Sequence, residues 1–414
     1  MRKITQIFLN ILFTIIVIAI LLLILEVGFR LGRGKDLYLK QTTGIRKARS
    51  KYLFKPNRTY RSSSSKWNEF DVGVRINNYG FRGKDIDKKK KPGILRIFAV
   101  GDSFTWGVGA RENETIPYLL EENLKSEGFR VEVINAGRGH ASTIGYYLKL
   151  RDIFLSYEPD LVILLFDFSD LWEDWDKERH LVYDDNGKIL FTDHTFINGK
   201  RDWWLTLMQY SELCTYLNNK IVRTFKKIKV LGFKDYLNAK LRGKRAKAVI
   251  SNMDLEASHE DNLDTIEYDG RLFLRGRDKL PLIKKHWART EKYLLMIRDL
   301  LAEKGVAFIM TMHPYGIHVG PEQWNKGRVY WGFEQGRTYD DYFAYSIVEE
   351  FARENKILCI NTLEAFLREK DKKLFFDYDG HLTPQGNRIF ADFVTQNEGF
   401  LNMLDEIGKG KIYE

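Results

Sequence analysis

The hydrophobic pattern opens with one long uninterrupted run and then becomes periodic. Residues 4–25 carry no charge, are rich in Ile and Leu, and follow Met-Arg-Lys. Their number exceeds the roughly 10–14 of a buried helix or signal segment and matches the ~20 that span a bilayer. The run ends in Glu26-Val27-Gly28-Phe29-Arg30 without a small-x-small cleavage motif, which predicts an uncleaved signal anchor and a single-pass protein. Flanking charge does not orient it. Arg2 and Lys3 favour a cytoplasmic N-terminus, whereas Arg30, Arg33, Lys35, Lys40, Arg46, Lys47 and Arg49 oppose one.

Residues 34–92 are polar, with serines at 62–65 and lysines at 88–91 before Pro92. They read as a stalk and an irregular lead-in, with Asn77-Asn78-Tyr79-Gly80 as a turn between short strands. A regular alternation follows. It predicts strands at 94–100, 131–134, 161–166, 306–312 and 357–360, and helices at 116–126, 142–156, 286–304, 341–355 and 384–395. The LVILLF run at 161–166 is continuously apolar, as in a strand buried on both faces. Such β-α units imply a parallel sheet with right-handed crossovers and helices on both faces. Chemistry in these sheets gathers at the carboxyl ends of the strands, near the topological switch point. The expected organisation is an anchor at 1–33, a lead-in at 34–92, a core domain from 93–170 and 281–414, and an insertion at 171–280 acting as a cap or lid.

Charge narrows the partners. The chain carries 66 Lys+Arg against 56 Asp+Glu, a net +10. Residues 220–247 hold eleven Lys/Arg and a single acid, Asp235, so all of the excess sits there and the remainder is neutral. That distribution does not describe a nucleic-acid protein. The patch is a solvated surface, a contact for anionic lipid headgroups beside the tether, or a contact for an acidic polysaccharide. Hydrophobic residues at 44% and aromatics at 14% supply a full core and exclude wholesale disorder. Cys214 and Cys359 make neither a disulfide framework nor a four-thiolate metal site, and Cys359 lies in an apolar run as a small core residue.

The candidate chemistry lies in two blocks. Gly101-Asp102-Ser103-Phe104-Thr105-Trp106-Gly107 follows the first core strand, where a strand-to-helix turn presents a serine hydroxyl. Asp379-Gly380-His381-Leu382-Thr383-Pro384 precedes the closing helix, and it offers an imidazole base with a carboxylate to orient it. Asp377 competes with Asp379 for the orienting role, and Asp102 reads as a turn residue. His313 and His318 follow the fourth strand without a carboxylate–histidine cluster, so no metal is expected; His313 is a candidate to line the cleft. Trp106, Trp172 and Trp175 flank the chemistry, where they either face an apolar or sugar substrate or pack the insertion onto the core. Arg138 is either a surface residue or a contact for an anionic substrate.

These motifs resemble the first and last blocks of the SGNH/GDSL hydrolase superfamily. Asn77-Asn78-Tyr79-Gly80-Phe81-Arg82, Val133-Ile134-Asn135-Ala136-Gly137, Pro159-Asp160-Leu161-Val162-Ile163, His313-Pro314-Tyr315-Gly316 and Trp324-x-x-Gly327-Arg328 are similar to segments of a bacterial, single-pass, membrane-anchored subgroup related to alginate-type O-acetylation proteins. The resemblance covers about 75–175 and 285–400. It implies a five-stranded flavodoxin-like sheet, with Ser103 as nucleophile, His381 as general base, Asp379 as orienter and no cofactor. It further implies an oxyanion hole from the Ser103 N–H, a second-block glycine and a third-block asparagine. Two positions depart from the pattern. Ser169 in Asp167-Phe168-Ser169-Asp170 replaces the asparagine, and the gapless second block puts His140 at the glycine position, with Gly139 one residue early. Asp170, Trp172 and His140 are further candidates for lining the substrate site.

The implied activity is that of a membrane-anchored serine esterase with its domain outside the cytoplasm, acting on an ester such as the O-acetyl group of an envelope glycan. An O-acetyltransferase using the same residues, or an inactive binding or assembly protein with the same fold, are the alternatives.

Overall fold

The computed structural model describes residues 2–32, 53–64, 67–139, 141–193, 196–211, 213–214, 216–218, 220–221, 274–277 and 280–410. The chain forms two compact units, one from Met1–Gly44 with Arg179–Asp261 and the other from Ile45–Glu178 with Asn262–Glu414.

In the smaller unit, helix α1 runs over Arg2–Gly32, and its Thr5–Gly28 stretch is long and apolar enough to cross a membrane. The basic patch at 220–247 lies outside the described residues except for Lys220 and Ile221.

The larger unit opens with an antiparallel hairpin, β1 (Arg58–Ser63) and β2 (Asp71–Ile76). The lead-in is therefore structured here, and Ile76, Asn77, Phe81 and Arg82 are buried. Then come β3 (Leu95–Gly101), α2 (Ser103–Trp106), α3 (Ile116–Ser126), β4 (Val131–Asn135), α4 (Thr143–Asp152), β5 (Leu161–Phe166) and α5 (Asp170–Glu178). The smaller unit next contributes the hairpins β6 (Leu181–Tyr183) with β7 (Ile189–Thr192) and β8 (Phe196–Ile197) with β9 (Lys200–Arg201), then helix α6 (Trp203–Tyr210). The larger unit resumes with α7 (Leu280–Glu303), β10 (Ala307–Met312), α8 (Phe343–Glu354), β11 (Leu358–Asn361), α9 (Leu363–Arg368), α10 (Pro384–Thr395) and α11 (Glu398–Gly408).

The five core strands pair in parallel in the order β11-β10-β5-β3-β4. Counted along the chain this is 2-1-3-4-5, the flavodoxin-like doubly wound order, with its switch point between β3 and β5. The parallel sheet expected from the hydrophobic pattern is found, in the five-stranded flavodoxin-like form that the resemblance implies. All six residues of β5 are buried, because helices cover both faces: α3 with α10 on one, and α4, α5 and α7 on the other. Each aliphatic side chain so buried contributes about 1.5–3 kcal/mol.

Helix boundaries differ from the expectation in instructive ways. α7 starts six residues before position 286, since Pro281 is tolerated in a first turn whose N–H groups lack partners anyway. α4 stops at Asp152, and a 3₁₀ turn at Phe154–Tyr157 follows, closed by Glu158 in the left-handed conformation. The Cys359 thiol is half-buried, and burial pushes it up to about 12, as suits an inert core thiol.

Candidate active site

The switch point places the turn after β3 beside the one after β5, and the first of these carries Ser103. Space is short there. A Cβ on Gly101 would sit 2.0 Å from Thr105 Oγ1, so only glycine fits. Asp102 caps α2 by accepting from the Phe104 N–H at 2.9 Å, and Gly107 ends it at φ 88°. The loop after β4 presses against this turn. A Cβ on Gly137 would lie 2.2 Å from the Trp106 nitrogen, and the Arg138 N–H donates to the Gly101 carbonyl at 3.1 Å.

Arg82 holds the far side of the turn. Its guanidinium is buried and donates to the carbonyls of Trp106 and Gly107 at 2.7 Å each and of Ala110 at 2.5 Å. Burial pulls its pKa down to about 10, although Glu112 and Glu114 oppose the shift. It remains charged at neutral pH, and each such charge-assisted bond is worth about 1.5–3 kcal/mol.

The histidine arrives from a separate loop. Thr383 caps α10 through the Gly386 N–H, and Pro384 occupies the first turn, so the helix starts immediately after the His381 loop. His381 Nε2 lies 2.8 Å from Ser103 Oγ, and His381 Nδ1 lies 2.5 Å from Asp379 Oδ1. Burial raises the Asp379 pKa, but the hydrogen bond and charge of His381 outweigh it and leave the carboxyl below its usual value. Asp377 instead faces Lys373 at 3.4 Å and Lys326 at 3.8 Å.

Two supports for this loop come from elsewhere in the chain, and the first of them, Glu69, belongs to no motif. Glu69, at the end of the β1–β2 turn, accepts from the N–H groups of Asp379 at 2.9 Å and Tyr378 at 3.1 Å. Trp324 packs under Gly380, where a Cβ would meet the indole nitrogen at 2.5 Å, and its Nε1–H donates to the Tyr378 carbonyl at 3.3 Å. Gly327 donates to the Asp377 carbonyl at 2.7 Å. The Trp324-x-x-Gly327 segment is thus a shelf for the histidine loop.

The remaining candidates separate by burial. A Cβ at Gly139 would point within 3.9 Å of Ser103 Cβ; the residue is exposed, and neither its N–H nor that of Ser103 donates to another described residue. His140 lies outside the described residues. Ser169 donates its N–H to Asp167 Oδ1 at 2.7 Å, and its hydroxyl helps hold that carboxyl down. His313 and Asp170, read as cleft-lining candidates, are buried at 2% and 0% exposure and line no open surface. Both follow core strands, but His313 is enclosed by Phe104 and Tyr315, and Asp170 accepts from the buried Tyr146 hydroxyl at 3.0 Å. Trp106 is half-buried, with the Arg82 guanidinium 4.7 Å from its ring, and Trp172 is half-buried against Trp175, their rings 4.8 Å apart.

Behind Ser103 lies a second polar group. His313 Nε2 is 3.0 Å from Asp167 Oδ2, an ion-pair contact off the line of a hydrogen bond. Tyr315 donates its hydroxyl to Asp167 at 2.8 Å and 2.9 Å. Burial lowers the His313 pKa, but Asp167 outweighs it and the net shift is upward; the Asp167 pKa falls for the reciprocal reason. Asp102 Oδ2 lies 3.3 Å from Ser103 Oγ, and burial together with the Asp167 charge pushes its carboxyl up to about 6. The Ser103 hydroxyl therefore sits between an imidazole and a carboxylate.

No protein-family model matches the chain, and no curated protein matches it in sequence. Among solved structures it is similar to the acetyl xylan esterase AlAXEase, at 16% identity and TM-score 0.35 over 72% of this chain and 97% of that one. It is also similar to a catalytic mutant of the acetylxylan esterase Axe2 from Geobacillus stearothermophilus, at 13% identity and TM-score 0.34 over 76% and 94% of the two chains. A GDSL-like lipase from Bacteroides thetaiotaomicron is a third, at 11% identity and TM-score 0.33 over 77% and 93%.

Proposed function

We propose that the protein is a membrane-anchored serine esterase, with Ser103 as nucleophile, His381 as general base and Asp379 as orienter. The observation that carries this reading is the continuous chain from Ser103 Oγ through both ring nitrogens of His381 to Asp379 Oδ1, at 2.8 Å and 2.5 Å. His381 Nε2 takes the hydroxyl proton as Oγ attacks the acyl carbonyl, and Asp379 stabilises the imidazolium that results. In this reading the N–H groups of Ser103 and Gly139, which donate to no other described residue, receive the developing oxyanion, and loss of one such donor costs about 2.7–4 kcal/mol. The imidazolium then returns its proton to the leaving alcohol, and water activated by His381 releases the acyl group. A carbohydrate hydroxyl in place of that water would make the same site a transferase.

An O-acetyl group on an envelope glycan is the substrate this reading favours. The apolar α1 keeps the domain beside a membrane, and an acetyl ester needs little acyl-binding volume. An envelope glycan lies outside the cytoplasm, so this reading places the domain there as well.

A membrane-impermeant fluorescent phosphonate tests both points on intact and permeabilised cells. Labelling of the wild type without permeabilisation, lost in Ser103→Ala together with release of p-nitrophenol from its acetate ester, is the expected result. Labelling that persists in Ser103→Ala overturns the assignment of the nucleophile. Labelling that appears only after permeabilisation overturns the placement and leaves the chemistry standing.

A further inference from the structure

Helix α1 meets the rest of its unit at one level. Side chains 5–25 are all exposed, and Glu26 and Val27 are the first to be partly covered. At 1.5 Å per residue that bare stretch is ~31 Å long, the thickness of a bilayer's hydrocarbon core. Glu26 therefore marks the plane where the helix leaves the lipid.

The C-terminal end of helix α6 is tied to that plane. Glu26 Oε2 accepts from Ser211 Oγ at 2.8 Å and from the Leu213 N–H at 3.0 Å, and Ser211 is the residue that ends α6. Asp202 caps the other end through the Leu205 N–H at 2.8 Å. The helix carries an exposed apolar face: Trp203 is 73% exposed, Trp204 41% and Leu207 40%. Leu207 stands one turn from both tryptophans, so the three share a stripe. Lys200 and Arg201, both exposed, immediately precede it.

Bare indoles in water are unfavourable, and the tryptophan side chain prefers the boundary where its ring is in hydrocarbon and its N–H among headgroups. Cations at the edge of such a face suit lipid phosphates. We infer that α6 is an interfacial helix, seating Trp203, Trp204 and Leu207 in the headgroup–acyl boundary of the leaflet from which α1 emerges. The protein is then held by a span and by an in-plane foot at the base of the insertion. The inference rests on α1 spanning the bilayer, and it is independent of the chemistry at Ser103.

The test uses the full chain in nanodiscs of phosphatidylcholine and phosphatidylglycerol that carry a doxyl quencher either near the headgroup or near the end of the acyl chain. α1 contains no tryptophan, so lipid quenching reports on other segments. The shallow quencher is expected to lower wild-type tryptophan emission, with the quenching slope falling by about twofold or more in W203F/W204F and the deep quencher acting weakly on both, as for an interfacial belt. Equal slopes in wild type and variant overturn the proposal. So does emission from Trp203 and Trp204 that aqueous iodide quenches and lipid does not. Shielding from both quenchers also overturns it, because protein such as a second copy would then cover the face. Release of the chain from membranes by alkaline carbonate separates the remaining case, in which α1 does not span the bilayer.

Discussion

Two aspartate–histidine pairs lie against Phe104, and of these the Asp379–His381 pair is the one that contacts Ser103. The His381 ring centroid lies 4.7 Å from that of Phe104, and the His313 centroid lies 3.9 Å from it. The Asp379–His381 pair is about one-fifth exposed, and its free ring nitrogen points at Ser103. The Asp167–His313 pair is 1% exposed; its Nε2 faces Asp167, and its Nδ1 lies 3.0 Å from the Pro314 carbonyl. Residue type and pairing are thus the same in both places. What differs is access to solvent and the aim of the second nitrogen, and these decide whether a histidine can exchange a proton with substrate or only hold a turn in place.

Removing the carboxylate charge from each pair gives the sharpest contrast. Asp379→Asn is expected to lower kcat by about 10⁴-fold with little change in stability, because the imidazolium loses its partner and its tautomer. Asp167→Asn leaves a buried histidine uncompensated and is expected to cost about 3–5 kcal/mol of stability. Steady-state hydrolysis of an acetate ester and urea unfolding of both variants measure the two effects. Similar losses of activity at unchanged stability in both would erase the distinction.

A smaller effect separates aiming from chemistry. Glu69→Ala removes both acceptors under the Asp379 loop and is expected to cut kcat by about 10- to 100-fold, in keeping with what a displacement of ~1 Å does to a catalytic group. Glu69→Gln keeps one acceptor and should recover most of that loss. If the two variants behave alike, Glu69 does not position the loop.

The smallest effect concerns pH. The Asp102 carboxyl is raised from its usual 3.8 to about 6, by burial first and then by Asp167. The folded state therefore holds this proton where the unfolded state has released it. Stability contributed by protonated Asp102 is present at low pH and lost as pH rises through about 6. Asp102→Asn keeps the cap on the Phe104 N–H while removing the titration. Its Tm is expected to fall less than that of wild type between pH 4 and pH 7, by a few degrees for a change of about 1 kcal/mol. Parallel Tm profiles for the two proteins would show that Asp102 does not titrate in this window.

Much of the site was legible because its parts are local. Ser103 lies in a glycine-bounded turn, and the DGHLTP segment combines the histidine with its own helix start, so short stretches reveal where each group stands on its element. Glu69 was not legible. A lone glutamate after a polar hairpin has no periodic or spacing signal, and its role exists only because the hairpin folds back onto a loop 310 residues away in the chain. Arg82 and Trp324 were visible as parts of recognisable segments, but what they hold was not. His313 was read as cleft-lining because it follows a core strand, with Asp170 as a further candidate, and the structure places both in the interior.

The sequence by itself determined the order of strands and helices, the apolar α1 and the two blocks that carry serine and histidine, because hydrophobic period, caps and tight turns are written within a few residues. Only the tertiary structure decided which carboxylate lies against which histidine, which of two similar pairs faces the serine, and which aromatic side chains stay bare on the helix whose end is tied to Glu26. Those outcomes depend on packing between segments far apart in the chain, and burial and aim are properties of that packing.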